Sequence, residues 1–157
     1  MLEKLRKAMK TADIDMLLIP SADPHGSEYP EEYFKARKHF SGFTGSAGTL
    51  LIWQGGAGLW TDGRYFLQAE RQLEGSGIDL FKMREPGVPT VDEFIAENIR
   101  GGVLGADLRT ISASEGMELE KGGAILKDCR SLIDGCWEGR PDRSAEPAYV
   151  LPMELAG

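Results

Sequence analysis

Met16-Leu17-Leu18-Ile19 is an unbroken apolar run closed by Pro20. A strand with one wet face alternates apolar and polar side chains, so an unbroken run needs cover on both faces. Such a strand belongs inside a sheet with helices packed on each side of it. Proline has no N–H to give the ladder and ends the strand. This short run therefore calls for a layered architecture that covers the strand on both faces.

The neighbouring segments supply the layers. Leu2, Leu5, Met9 and the later Ile14 recur at near-helical spacing, and residues 2–11 read as an amphipathic helix. Residues 21–31 are polar and rich in turn formers, a loop, and residues 31–40 read as a short helix broken by Gly42. Residues 48–53 and 57–61 are apolar runs joined by Gln54-Gly55-Gly56, the signature of a hairpin. Asp62 is placed to cap a helix whose apolar face is Phe66, Leu67, Ala69 and Leu73. Residues 78–83 and 103–106 read as strands. Thr90 with Glu93, and Ser112 with Glu115, form capping boxes that open two further helices. Gly101-Gly102 ends the first of these helices, and Gly122-Gly123 weakens the second. Strands alternating with helices imply an α/β sheet, and the early hairpin makes it mixed. Beyond Trp137 the chain has three prolines and no period, so residues 141–157 read as a linker and the start of a following domain.

Composition excludes several functions. The chain has 157 residues, enough for one domain with a real core. Its formal net charge is −7 with no basic cluster, which argues against nucleic acid and against an anionic membrane surface. No apolar run approaches the ~20 residues of a membrane span. Charges at Glu3, Lys4, Arg6 and Lys7, then Asp13 and Asp15, interrupt any signal-peptide core, so a cytoplasmic protein is expected. Cys129 and Cys136 read as reduced, structural residues.

The chemistry-bearing residues are sparse. His25 and His39 fit no metal-ligand spacing, and Asp23, His25 and Glu28 read as residues that tie their own loop together. Gly45-Ser46-Ala47-Gly48 lacks the strand-before, helix-after order of a nucleophile elbow or phosphate loop. Its glycines read as a close-packed turn. The densest cluster is Trp60-Thr61-Asp62-Gly63-Arg64-Tyr65, at a strand-to-helix junction, where α/β sheets place ligand contacts. Arg64, read as lying in the first helical turn, opposes the helix dipole and so is not there for helix stability. Trp60 and Asp62 also read as a core residue and a cap.

Three motifs, P-S-A-D-x-H-x-S-E-Y at residues 20–29, S-G-F-x-G-S-A-G-T at 41–49 and W-T-D-G-R-Y-F-x-Q-A at 60–69, resemble the N-terminal domain of long-form Xaa-Pro aminopeptidases. Gly105-Ala106-Asp107, Leu132-Ile133-Asp134, Trp137 and Arg140-Pro141 extend the resemblance over essentially the whole chain. It implies a mixed, roughly six-stranded sheet flanked by helices, the creatinase N-terminal fold with its ribonuclease H-like motif, over residues 1–140. It also implies that this domain is non-catalytic and holds no cofactor. The two manganese ions and catalytic residues are expected in a metallopeptidase domain of the same polypeptide, outside these residues. The implied role is closing the substrate cleft on peptides with proline at the second position, with subunit contacts in a homo-oligomer. Arg64, with Asp62 and Trp60, is the position the resemblance singles out for substrate or domain contact. His25 matches as well, among differing neighbours, as a loop-structural residue. A free-standing α/β domain binding a small ligand or a protein is the alternative, and a hydrolase built on Ser46 is a weaker one.

Overall fold

The computed structural model describes residues 1–147 and 149–156. In chain order the elements are α1 (Leu2–Thr11), β1 (Met16–Pro20), a 3-10 turn (Glu32–Phe34), α2 (Ala36–Ser41), β2 (Thr49–Trp53), β3 (Gly56–Thr61) and α3 (Phe66–Leu73). There follow β4 (Asp79–Lys82), α4 (Val91–Ile99), β5 (Val103–Ala106), α5 (Ala113–Lys121), β6 (Ile125–Asp128), α6 (Arg130–Cys136) and α7 (Met153–Ala156).

The six strands form one mixed sheet in the order β4-β3-β2-β1-β5-β6. β2 runs antiparallel to both of its neighbours, β1 and β3. β4 is parallel to β3, β5 to β1, and β6 to β5. Five strands therefore point the same way and only β2 is reversed. Their carboxyl ends share one edge of the sheet.

The apolar run that opened the sequence reading lies at the centre. Leu17 and Ile19 pack with Leu50, Ile52 and Leu59 in a core that also takes Leu5 and Met9 of α1, Phe40 of α2, Ala69 of α3 and Ile133 of α6. Met16 and Leu18 face the opposite side, with Leu51, Trp60, Leu104, Ile95 of α4 and Leu119 of α5. Burying both faces of β1 is what an all-apolar strand requires.

Both capping boxes form. The Glu93 amide donates to Thr90 Oγ1 at 3.2 Å while the Glu93 carboxylate accepts from the Thr90 amide at 2.8 Å. Ser112 and Glu115 repeat the exchange. α5 persists to Lys121, and its two glycines terminate it, Gly123 at φ 93°. The residue pattern alone pointed to five strands. The sixth, β6, is a four-residue edge strand whose Ile125 is largely exposed, so it has no buried period to read.

Asp62 does not cap α3. The residue preceding that helix is Tyr65, which makes no side-chain cap. Arg64 thus lies in the turn before the helix and not in its first helical turn. The argument from the helix dipole does not apply to it.

Candidate functional site

Open α/β sheets bind ligands beyond the carboxyl ends of their strands, at the point where strand order reverses. Here that point is β1, from which the chain builds β2, β3 and β4 to one side and β5 and β6 to the other. A cleft of about 760 Å³ lies there. Its walls are the loop after β1 (Ser21 to Glu28), the approach to β2 (Ser46 to Gly48), Arg64 after β3, and Arg109 to Ser112 after β5.

One local device recurs along this edge, an aspartate whose carboxylate accepts the backbone N–H of the residue two positions on and, in three of four cases, that residue's guanidinium. Asp62 Oδ1 accepts from the Arg64 amide at 3.0 Å and from Nε at 2.9 Å, and Oδ2 accepts from Nη2 at 2.8 Å. Asp107 holds Arg109 through the same atoms, at 3.1, 2.9 and 2.7 Å. After β6, Asp128 accepts from Arg130 Nε at 2.7 Å. After β1, Asp23 Oδ1 accepts from the amides of His25 at 2.9 Å and Ser27 at 3.0 Å. A short side chain that mimics a backbone turn explains why aspartate fills each position.

These contacts set the charge states. The Arg64 guanidinium holds the Asp62 carboxyl down to about 2, and Asp62 in turn raises the Arg64 guanidinium above its ordinary value. The Ser27 amide, ahead of the opposing cost of burial and the His25 contacts, lowers the Asp23 carboxyl. Asp107, buried beneath its arginine, is the main cause of the raised Arg109 guanidinium.

Of the residues expected at the site, Arg64 and His25 line the cleft and Asp62 orients Arg64 from behind. The His25 side chain is 80% exposed, and Asp23 organises the loop. Trp60 is elsewhere. It is fully buried on the α4 side of the sheet, stacked on Phe81 at 3.9 Å, with its indole N–H donated to the Pro89 carbonyl at 2.9 Å. It belongs to the core, which corrects its place among the contact candidates. Ser46 pairs with the Tyr65 hydroxyl at 2.7 Å, and no histidine hydrogen-bonds it among the described residues.

Two positions that shape the cleft were not read from the sequence. Arg109 lines the cleft opposite Arg64, and the spacing Asp-x-Arg after a strand, present at 62–64, 107–109 and 128–130, was the signal for it. Arg37, in the segment that reads as a short helix, is buried. It donates to Ser21 Oγ at 2.8 Å and to the carbonyls of Phe43 and Gly45. Burial lowers this guanidinium to about 10. It shapes the wall of the cleft from beneath. Gly45 is required there because a Cβ would stand 2.3 Å from Phe43 Cζ and 2.8 Å from Tyr65 Cδ1.

No group of three or more histidine, cysteine, aspartate or glutamate side chains is arranged to hold a metal among the described residues. The donor set of this domain does not fit a metal pair, so no metal-dependent step is derived from it. Cys129 and Cys136 are buried free thiols, both raised by burial. No helix is long and apolar enough to cross a membrane among the described residues.

Comparison with known proteins agrees with this architecture. The Creatinase/Prolidase N-terminal domain model matches residues 1–136. A Coccidioides posadasii protein named "Probable Xaa-Pro aminopeptidase P" is 42% identical over 99% of this chain, which covers 26% of that relative. A Tuber melanosporum protein of the same name is also 42% identical, with 26% of it covered. The chain therefore spans about a quarter of the length of these relatives. Among solved structures, X-prolyl aminopeptidase from Caenorhabditis elegans superposes with a TM-score of 0.84 at 32% identity. That match covers 98% of this chain and 28% of the worm protein, described as a cytosolic enzyme with a di-nuclear active site. The N-terminal domain of Mycobacterium tuberculosis PepQ shares the fold, with a TM-score of 0.61 at 22% identity, over 87% of this chain and 97% of that one. With its sheet order, its motifs and 136 matched residues in agreement, this chain belongs to the Creatinase/Prolidase N-terminal domain family.

Proposed function

We propose that this chain is the non-catalytic N-terminal domain of a cytoplasmic Xaa-Pro aminopeptidase, and that it helps close the substrate cleft of the enzyme. The hydrolysis, removal of an N-terminal residue that precedes proline, belongs to a metal-bearing domain of the same polypeptide. The di-nuclear site of the worm relative supports a metal pair there, and manganese is our assignment. A metal pair there would supply Lewis-acid polarisation of the scissile carbonyl and activation of water. This domain adds shape, a cation, and contacts to neighbouring domains and to other subunits of a homo-oligomer.

The observation that carries this reading is Arg64 on the cleft, its guanidinium held in one orientation by Asp62. Nε and Nη2 face the aspartate, and Nη1 has no hydrogen-bond partner among the described residues. A fixed guanidinium recognises a carbonyl or carboxylate with directionality that an ammonium does not reproduce.

Arg64→Lys in the complete enzyme is expected to lower kcat/KM about tenfold, the lower end of the loss for a charge-assisted hydrogen bond. Assays on an Xaa-Pro dipeptide and on a longer peptide with proline second locate the contact. A loss that varies with peptide length marks substrate, and a uniform loss marks domain docking. Unchanged activity on both peptides returns Arg64 to a surface ion pair and removes the basis of the reading.

A further inference from the structure

Arg64 and Arg109 are built alike and stand on either side of the strand-order switch. In both, Nε and Nη2 are committed to an aspartate two residues earlier, and Nη1 is unbonded among the described residues. Both lie over aromatic rings, Arg64 over Tyr65 at 5.2 Å and Arg109 over Phe34 at 5.2 Å. Three strand spacings, roughly 14 Å, separate the turns that carry them. That gap is within the combined reach of two arginine side chains.

The carboxylates around them are largely taken. Asp62 and Asp107 serve their arginines, Asp23 accepts backbone amides, and Glu115 accepts the Ser112 amide at 2.7 Å. Glu28 is the exception, a lining carboxylate without a hydrogen bond among the described residues. Two outward guanidinium edges and one competing acid therefore face an open cleft. Turn stability alone does not account for the arrangement, because the Arg64 side chain is 65% exposed and a pair so exposed stabilises little.

We propose that this cleft is a carboxylate-binding subsite in which Arg64 and Arg109 together receive the free C-terminal carboxylate of a short peptide. The proposal rests on the substrate-cleft reading above and extends it by naming the group recognised and a second residue that recognises it. Arg130 provides an internal control. It is held by Asp128 through Nε but does not line this cleft; the hollow it lines shares only Arg109 with the cleft.

The test is a titration of the 15N-labelled 157-residue chain with the tripeptide Ala-Pro-Ala, with its C-terminal amide, and with sodium acetate. The free acid should shift the backbone amides of residues 63–65 and 108–110 together, with one saturating isotherm. The amide should bind about tenfold more weakly, as expected when a charged hydrogen-bond acceptor is lost. Arg64→Gln and Arg109→Gln should each weaken the acid about tenfold, Arg130→Gln should leave it unchanged, and Glu28→Gln should tighten it. Should Arg109→Gln unfold the chain, Arg109→Lys keeps a cation beside Asp107 and removes the planar fork, and the same loss is expected. Equal binding of acid and amide, a drift that does not saturate, or sensitivity to Arg64 alone overturns the proposal. Acetate should move the same amides more weakly, and acetate shifts elsewhere count against it. Turnover that depends on Arg64 in the complete enzyme, without a carboxylate preference here, rejects the subsite and leaves the substrate-cleft role intact. A carboxylate preference without any effect on turnover does the reverse.

Discussion

Asp62 shows how much one carboxylate organises. Its two oxygens take three donors from a single residue, fixing a turn that no helix cap secures. The folded carboxyl lies at about 2, below the ordinary 3.8, so the unfolded chain binds more protons over that interval. The contribution of the clamp is fully present above 3.8 and is lost as pH falls through about 2. A carbon-13 titration of the Asp62 carboxyl should therefore show little change from pH 7 down to about pH 3. A midpoint near 3.8 would mean that the clamp is open in solution. The three-residue spacing was visible in the sequence. The choice between helix cap and arginine clamp was not, because both use an aspartate just after a strand.

At the scale of elements, the helices on the α1 side are joined by aromatic packing. His39 of α2 stacks on Trp137, just past α6, with centroids 4.5 Å apart and planes 12° from parallel, and Phe40 meets the same indole edge-on. Burial lowers the His39 imidazole below its ordinary 6.5, because the charged form would lose hydration in the stack. The unfolded state then takes up protons first, so stability is complete above 6.5 and declines as pH falls toward the folded value. The urea midpoint is expected to drop between pH 7.5 and 5.5, and His39→Phe, which keeps a ring on the indole, should flatten that slope. An unchanged slope in the variant would place the pH dependence elsewhere. Helical period and capping boxes made α1, α4 and α5 legible. β6 and α6 were not, since four residues on an exposed edge and seven without a side-chain cap leave too little local pattern.

For the molecule as a whole, Arg140 ties the end of the chain to its core, and Arg143 and Ser144 add contacts to Glu31 and Phe34. Its guanidinium lies 3.7 Å from the centre of the Tyr33 ring and donates from Nε and Nη2 to the Tyr33 carbonyl, with a further pair to Asp134. Residues 144–147 and 149–155 are exposed, and α7 is a single turn. We propose that the domain proper ends near residue 140 and that the remainder is linker. Truncation after residue 143 should leave Tm nearly unchanged, whereas Arg140→Ala should cost about 1.5–3 kcal/mol, the range for hydrogen bonds to a charged group. Thermal melts of both variants check this. A large loss from the truncation would make the tail part of the fold.

The sequence by itself determined what is local. An all-apolar run demanded a sheet covered on both faces, capping boxes set helix starts, and a glycine-bearing hairpin made the sheet mixed. Each of these rests on interactions between residues a few positions apart, which a linear reading can see. The tertiary structure alone decided which way each residue faces and what it meets. It turned Trp60 into the α4-side core, buried Arg37 beneath the cleft wall, and brought Arg64 and Arg109 to one opening. Strand order sets these outcomes, because the carboxyl ends of β1, β3 and β5 come to one edge only when the sheet assembles.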